Sequence, residues 1–435
     1  MVEASEQGSA QGAGRPPSEG LFGLSLAGVG LSVLFLTAAT YAAWPIFYRA
    51  LGAIAVYGLP QIAFELVRNR RQIRAAYNVE IDHVVRAKLV ALAAALFAIF
   101  GGFRALGALG LTKYEPAELL LGPAMPLLLL LAIPYFCTVG RMQDEPRDDY
   151  FEVGRLLTGR LAGADWKRVR HFAAGWFIKA FFFPLMFTEL LQSVIAFERS
   201  ISSPAGLTYW YAVSVSLIYF IDVCIASAGY LATLRIFGWQ IRSSNPYPMA
   251  WAVTLLCYYP FFGPMYRQLL DYKDGYLWSD WLASSPILLT CWAVAIFALK
   301  VSWILAISPF GLRFSNLTNR GIITNGTFAL TKHPSYVSKN LFWWMIHIPF
   351  LSMAAGMDAA TNCLQLLAIG AIYFVRARYE ERHLSEEPRY VAYAMWIERR
   401  GIFRGLGRLV PALRYRPPVP ATAPLGLPQP QAAAS

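Results

Sequence analysis

The chain has 435 residues, of which 57% are hydrophobic and only 15% charged, with a mean hydropathy of +0.43. That balance excludes a water-soluble globular domain; apolar runs near the ~20 residues needed to cross a bilayer point to an all-α, polytopic membrane protein. The net charge of +12 does not imply nucleic acid, because the Lys and Arg excess lies between the apolar runs, where cytoplasmic positive charge sets topology.

Residues 1–20, MVEASEQGSAQGAGRPPSEG, are polar and rich in Gly and Pro. They read as a disordered cytosolic tail, without the pattern of a signal peptide. Six spans follow, near 21–44, 45–66, 89–111, 119–138, 171–196 and 207–235. Only Trp44 and Pro45 separate the first two, so these are either full spans or a re-entrant pair. This six-span region, 21–240, carries no readable chemical motif. Four spans near 249–270, 286–310, 340–356 and 360–376 form a second region, 241–415, which ends in a cytosolic helix. Residues 416–435 are a Pro/Ala-rich tail.

With ten spans, the Arg-rich loops 68–88, 140–170 and 311–339 and the segment after 376 share one side. The positive-inside rule makes that side, and both termini, cytosolic. Cys137, Cys224, Cys257, Cys291 and Cys363 lie in or beside apolar runs without a CxxC pair, which predicts packing residues, no disulfide framework and no metal site.

Lys179, Glu189, Asp222 and Lys300 fall inside predicted spans, where ionisable groups are costly and often functional. Lys179 is placed to snorkel toward the interface. Asp222 is deeper; it either pairs with Lys300 or marks a polar, substrate-binding pocket for a lipid headgroup.

Chemistry concentrates after residue 310. GLRFSNLTNRGIITNGTFALTKHPSY has no helical period and reads as a cytosolic-face loop whose glycines permit close backbone approach. Pro334 turns His333 away from helical angles and fits the first turn of the next helix. That helix start, with free N–H groups and a positive dipole, suits a carboxylate, and Tyr336 lies one turn on. In YFVRARYEERHL, Arg376 and Glu380 are i,i+4 and share a face, with Arg378 and Glu381 offset from it. A guanidinium and a carboxylate where a span leaves the bilayer suit a ligand bearing both charges.

GTFALTKHPSYVSKN, then RARYEERHL, then RYVAY resembles the C-terminal core of the isoprenylcysteine carboxyl methyltransferase family and its phospholipid methyltransferase relatives. The resemblance covers about 310–400, with 43 residues between His333 and Arg376 and with Tyr390 and Tyr393 beyond. Lys332 stands where the family usually has Arg, Ser338 where it often has Gly, and Phe328 where it has Tyr. The resemblance implies S-adenosylmethionine as cofactor. His333, Pro334, Ser335 and Tyr336 would line its methionyl end, Ile323 and Phe328 would cover the nucleoside, and Glu380 would hold it. Arg376 would anchor a lipid-embedded acceptor entering sideways from the membrane. A carboxylate acceptor needs no general base; for an amine, Glu381 or His333 would serve. Two other readings remain: a sterol-type reductase using NADPH, and a transporter with Asp222 and Lys300 on its pathway.

Overall fold

The computed structural model describes residues 14–75, 82–110, 115–143, 145–204, 207–263, 278–351 and 356–417. It is an all-α bundle. Helices run α1 (Phe22–Tyr41), α2 (Ile46–Ala75), α3 (Asp82–Ala108), α4 (Glu115–Arg141), α5 (Asp149–Leu157), α6 (Trp166–Ile201) and α7 (Leu207–Leu231). They continue as α8 (Pro248–Leu255), α9 (Trp278–Leu282), α10 (Pro286–Ile307), α11 (Pro334–His347), α12 (Gly356–Leu384) and α13 (Pro388–Arg400). Among the described residues, eight are long and apolar enough to span a membrane: α1–α4, α6, α7, α10 and α12.

Two expected spans differ. Of the predicted 249–270 span, the described residues contain the eight-residue α8 and helical residues 262–263, and residues 264–277 lie outside the described set. The predicted 340–356 span begins earlier, at Pro334, and stops at His347. Its 14 residues reach about 21 Å, short of a ~30 Å hydrocarbon core. The stop has a local cause: Ile348 takes a left-handed φ of 39° and Pro349 follows. The first two spans are both full helices rather than a re-entrant pair. Gly28 lets them close, since a Cβ there would stand 2.3 Å from the Tyr57 carbonyl oxygen. Tyr57 Oη lies 2.8 Å from Ser25 Oγ in the same contact.

The core is built chiefly by α2, α6 and α7, where Tyr57, Phe187, Leu190, Phe220 and Ile225 are all fully buried. Helix α5 docks on α3 through Gly154, whose Cβ would lie 1.8 Å from the Ala87 carbonyl oxygen. Gly154→Ala is therefore expected to cost about 1–3 kcal/mol as the two backbones are forced apart. An unchanged melting temperature in detergent would show that α5 is not seated there.

One end of the bundle gathers distant segments. Strand β1 (Ser243–Ser244) pairs antiparallel with β2 (Thr318–Asn319), Ser243 facing Asn319. Ser243 Oγ meets His383 Nε2 at 2.8 Å, and Asn319 donates to Glu387 at 2.8 Å. Arg235 reaches Asp148 of the loop before α5 at 3.5 Å. The loops before α5, after α7 and after α10, and the end of α12, thus share one face of the molecule.

The N-terminal tail joins them. Residues 14–20, expected to be unstructured, instead lie across the loop after α10. Glu19 N–H donates to the Ile322 carbonyl, Thr324 Oγ1 to the Pro16 carbonyl, and Asn325 to the Gly20 carbonyl. The Glu19 carboxylate accepts from Arg242 and from Arg389 (2.9 Å), and lies 3.6 Å from Arg313. Burial raises its pKa, but these three guanidiniums outweigh burial and hold it below the ordinary carboxylate value. The stabilisation this strap contributes is therefore full above the unfolded pKa and is lost as pH falls through the lower folded one. Amide exchange of Glu19 and Thr324 should accelerate only below the ordinary carboxylate range. Glu19→Gln should exchange fast already at neutral pH; equal protection in that variant would count against the strap.

Candidate functional site

The loop after α10 is fixed from beneath by Arg320. Its guanidinium spends all five donors on backbone carbonyls: Trp239, Gly229, Phe314, Ala232 and Leu312, at 2.8–2.9 Å. Above it, α13 clamps the loop. Tyr393 Oη donates to the Phe328 carbonyl at 2.7 Å, and the Ile402 amide donates to the Leu330 carbonyl at 2.9 Å. Burial pushes the Tyr390 and Tyr393 phenols well up, so both stay neutral.

His333 is the N-cap of α11, Pro334 occupies its first turn, and the His333 side chain makes no capping hydrogen bond. The end of α12 lies alongside. Here the offset between neighbouring acidic residues divides the site in two.

On one side, Glu381 is buried and gathers two cations and an imidazole. Lys332 Nζ stands 2.9 Å away, His333 Nε2 3.1 Å and Arg378 2.7 Å. Lys332 also reaches Glu398 of α13 at 2.6 Å. This cluster heads a cavity of about 420 Å³ between α11 and α12. Its lower wall is apolar, with Val337, Leu341, Tyr373 and Phe374. A polar cleft of about 550 Å³, bounded by Arg378, Glu381, Arg382, Ser385, Tyr415 and Arg416, adjoins it at Arg378 and Glu381.

On the other side, Arg376 and Glu380 share a face as the i,i+4 spacing predicts, but they are joined through Tyr336. Tyr336 Oη donates to Glu380 at 2.7 Å, while the Arg376 guanidinium lies 5.3 Å over the Tyr336 ring. Arg376 donates to Asn316 Oδ1 at 2.6 Å, and Asn316 in turn bonds the Tyr230 and Tyr258 hydroxyls. The cavity enclosed here is only about 40 Å³, room for about one water.

Tyr336 is the partition between the two sides. It stacks on His333 with centroids 5.4 Å apart and meets Tyr373 at 5.6 Å. The structure thus brings together His333, Tyr336, Arg376, Glu380 and Glu381; Pro334 and Ser335 follow His333 in α11 but line none of these cavities. Ile323 and Phe328 lie apart, buried against Tyr390, Tyr393 and Ile397, and line none of these cavities. Asp222 is also separate, on α7, where Lys339 and Lys300 are the cations acting on it. Lys300 lies over the Tyr219 and Phe342 rings, and Lys339 over Trp303.

Sequence reasoning passed over Asn316, Tyr373 and Glu398, which build the partition and the cation cluster. Nothing in their spacing marks them, because they are brought in by the loop, the mid-span face of α12 and the fold-back of α13. Compared with known protein families, curated proteins and solved structures, the chain matches none.

Proposed function

We propose that the protein is an integral-membrane methyltransferase. It would use S-adenosylmethionine and an amphipathic, lipid-embedded acceptor, an isoprenylcysteine carboxylate or a phospholipid-like group. The observation that carries this reading is the pair of adjoining compartments, one polar and one with an apolar wall, meeting at Arg378 and Glu381. At about 550 and 420 Å³, both have the size of small-molecule sites, roughly 300–1,000 Å³.

S-adenosylmethionine, when bound, supplies a methyl group on a positively charged sulfur. The chain's task is then to align two reactants and keep water out, which proximity and desolvation accomplish without a strong base. Glu381, fixed by Lys332, His333 and Arg378, gives the junction a defined charge geometry. The Tyr373 ring on the cavity wall suits a sulfonium. Arg376 is enclosed with Asn316, whereas Arg378 faces both compartments, so we assign acceptor anchoring to Arg378. Glu380 is a positioning residue that holds the Tyr336 hydroxyl. A carboxylate acceptor requires no proton transfer; for an amine, His333 with Glu381 is the nearest acid–base pair. The positive loops gathered on this face would put the site at the cytosolic surface.

Calorimetry with S-adenosylmethionine on purified protein in detergent tests the reading. Micromolar-range binding by the wild type, weakened at least tenfold by His333→Ala, is expected. A folded wild type that binds NADPH and not S-adenosylmethionine would replace this reading with a reductase.

A further inference from the structure

The front half of the chain, which the catalytic reading leaves unused, holds a chamber of about 510 Å³ between α3, α4, α6 and α7. Its walls are apolar, with Leu92, Leu96, Leu131, Phe136 and Phe183. Leu128 and Leu131 line it and are themselves 43% and 55% exposed, so this wall opens sideways toward the surrounding lipid. At its head it shares Val139, Arg235 and Gln240 with a polar basin of about 410 Å³ lined by Arg68, Arg235, Arg242 and Arg313.

The charges at this head do not balance. Lys88 pairs with Asp148, Arg68 with Glu65, and Arg242 and Arg313 with Glu19; Arg235 lies near Asp148 and Asp149. Lys179 lines the chamber; among the described residues it has no hydrogen bond or ion pair, and its ammonium lies 4.4 Å from the Trp176 ring. With Arg389 also on Glu19 and Glu387 3.6 Å from Arg242, seven cations meet five carboxylates, Glu19, Glu65, Asp148, Asp149 and Glu387. Lys179 folds back one helical turn onto Trp176, which aims its ammonium toward the basin end. The buried Nε2 of His171, also on the chamber wall, has no hydrogen-bond partner among the described residues. Surplus positive charge inside a span is expensive unless an anion accompanies it. An apolar chamber open to lipid, capped by arginine forks, is complementary to one kind of molecule.

We propose that this chamber binds a membrane lipid with an anionic phosphate headgroup, its acyl chain between α3, α4, α6 and α7 and its phosphate among Lys179, Arg235 and the basin arginines. The site is separate from the Glu381 junction and does not depend on the methyltransferase reading.

Native mass spectrometry of the purified full chain, offered chain-matched phosphatidylglycerol or phosphatidylcholine, provides the test. One phosphatidylglycerol should be retained at least tenfold more tightly than phosphatidylcholine. Lys179→Met should remove most of that preference. Gly175 lines the chamber, and a Cβ there meets only Ile241 Cδ1 at 3.5 Å. Gly175→Ala should therefore keep the lipid and Gly175→Phe expel it. If Gly175→Phe fails to fold, Lys179→Met decides alone. Equal retention of the two lipids, or unchanged preference in Lys179→Met, overturns the proposal. So does inorganic phosphate raising the melting temperature as much as phosphatidylglycerol does, which would reveal a free-anion site without a chain.

Discussion

Arg320→Met is expected to cost about 4–5 kcal/mol, the top of the range that single substitutions reach, and to abolish ligand binding with it. The reason is an accounting of donors. Arginine carries five N–H donors in a fixed fork, and each is used here on a different carbonyl. Gly229 and Ala232 sit where α7 ends, so two of these carbonyls belong to a helix terminus with no intrahelical donor. The C-terminal dipole of α7 favours the cation as well. Methionine fills similar space and donates nothing, leaving five buried acceptors unsatisfied at about 1–3 kcal/mol each before relaxation. Burial lowers the Arg320 pKa to about 9, with Arg313 acting the same way and Tyr230 opposing, so the side chain remains charged at neutral pH. Arg320→Lys should fall between, since an ammonium has three donors for five acceptors. Thermal melts in detergent measure both. A Met variant as stable as the wild type would show that water replaces the guanidinium and that the loop does not hang on it.

This residue also shows where the sequence was legible. Hydropathy alone identifies all eight long helices, because in a bilayer an apolar run of that length has few alternatives to a helix, although one predicted end of each of α2, α3 and α12 falls seven to nine residues short. Arg320, by contrast, is one more arginine in a basic loop, and its count supports topology. That it turns inward to tie α7 to the loops around residues 239 and 312 depends on non-local packing that no spacing encodes. The same limit applies to α11. Its apolar stretch continues past His347, yet Ile348 and Pro349 end the helix, so a window average overestimates its reach. The tail at 14–20 has the composition of a disordered segment. Glu19 among three arginines, and Gly20 pressed where a Cβ would stand 2.2 Å from the Pro309 carbonyl oxygen, anchor it instead. In the site, local spacing found His333, Tyr336, Arg376 and Glu380 because they lie on two helical faces. It did not find which of two adjacent acids faces the open cavity, since a 100° step decides that and the neighbouring helix fixes the phase.

Glu380 and Glu381 therefore make the sharper experiment. Glu381→Gln is expected to destabilise the protein by about 3–5 kcal/mol and to weaken ligand binding at least tenfold, because it leaves Lys332, His333 and Arg378 converging on a neutral amide. The amide nitrogen would also face one of those donors. Glu380→Gln keeps an oxygen for the Tyr336 hydroxyl and should cost about 1 kcal/mol, with binding reduced only modestly. Lys332→Met combined with Glu381→Gln should recover part of the stability, since it removes the cation that the lost charge held; a double-mutant cycle reads that coupling. It should not recover binding if Glu381 belongs to the junction between the two compartments. The reverse pattern, binding intact in Glu381→Gln and lost in Glu380→Gln, would mean that the small closed side opens to admit the ligand. Tyr336 would then be a gate between the two sides, and Arg376, released from Asn316, would be the anchor in place of Arg378.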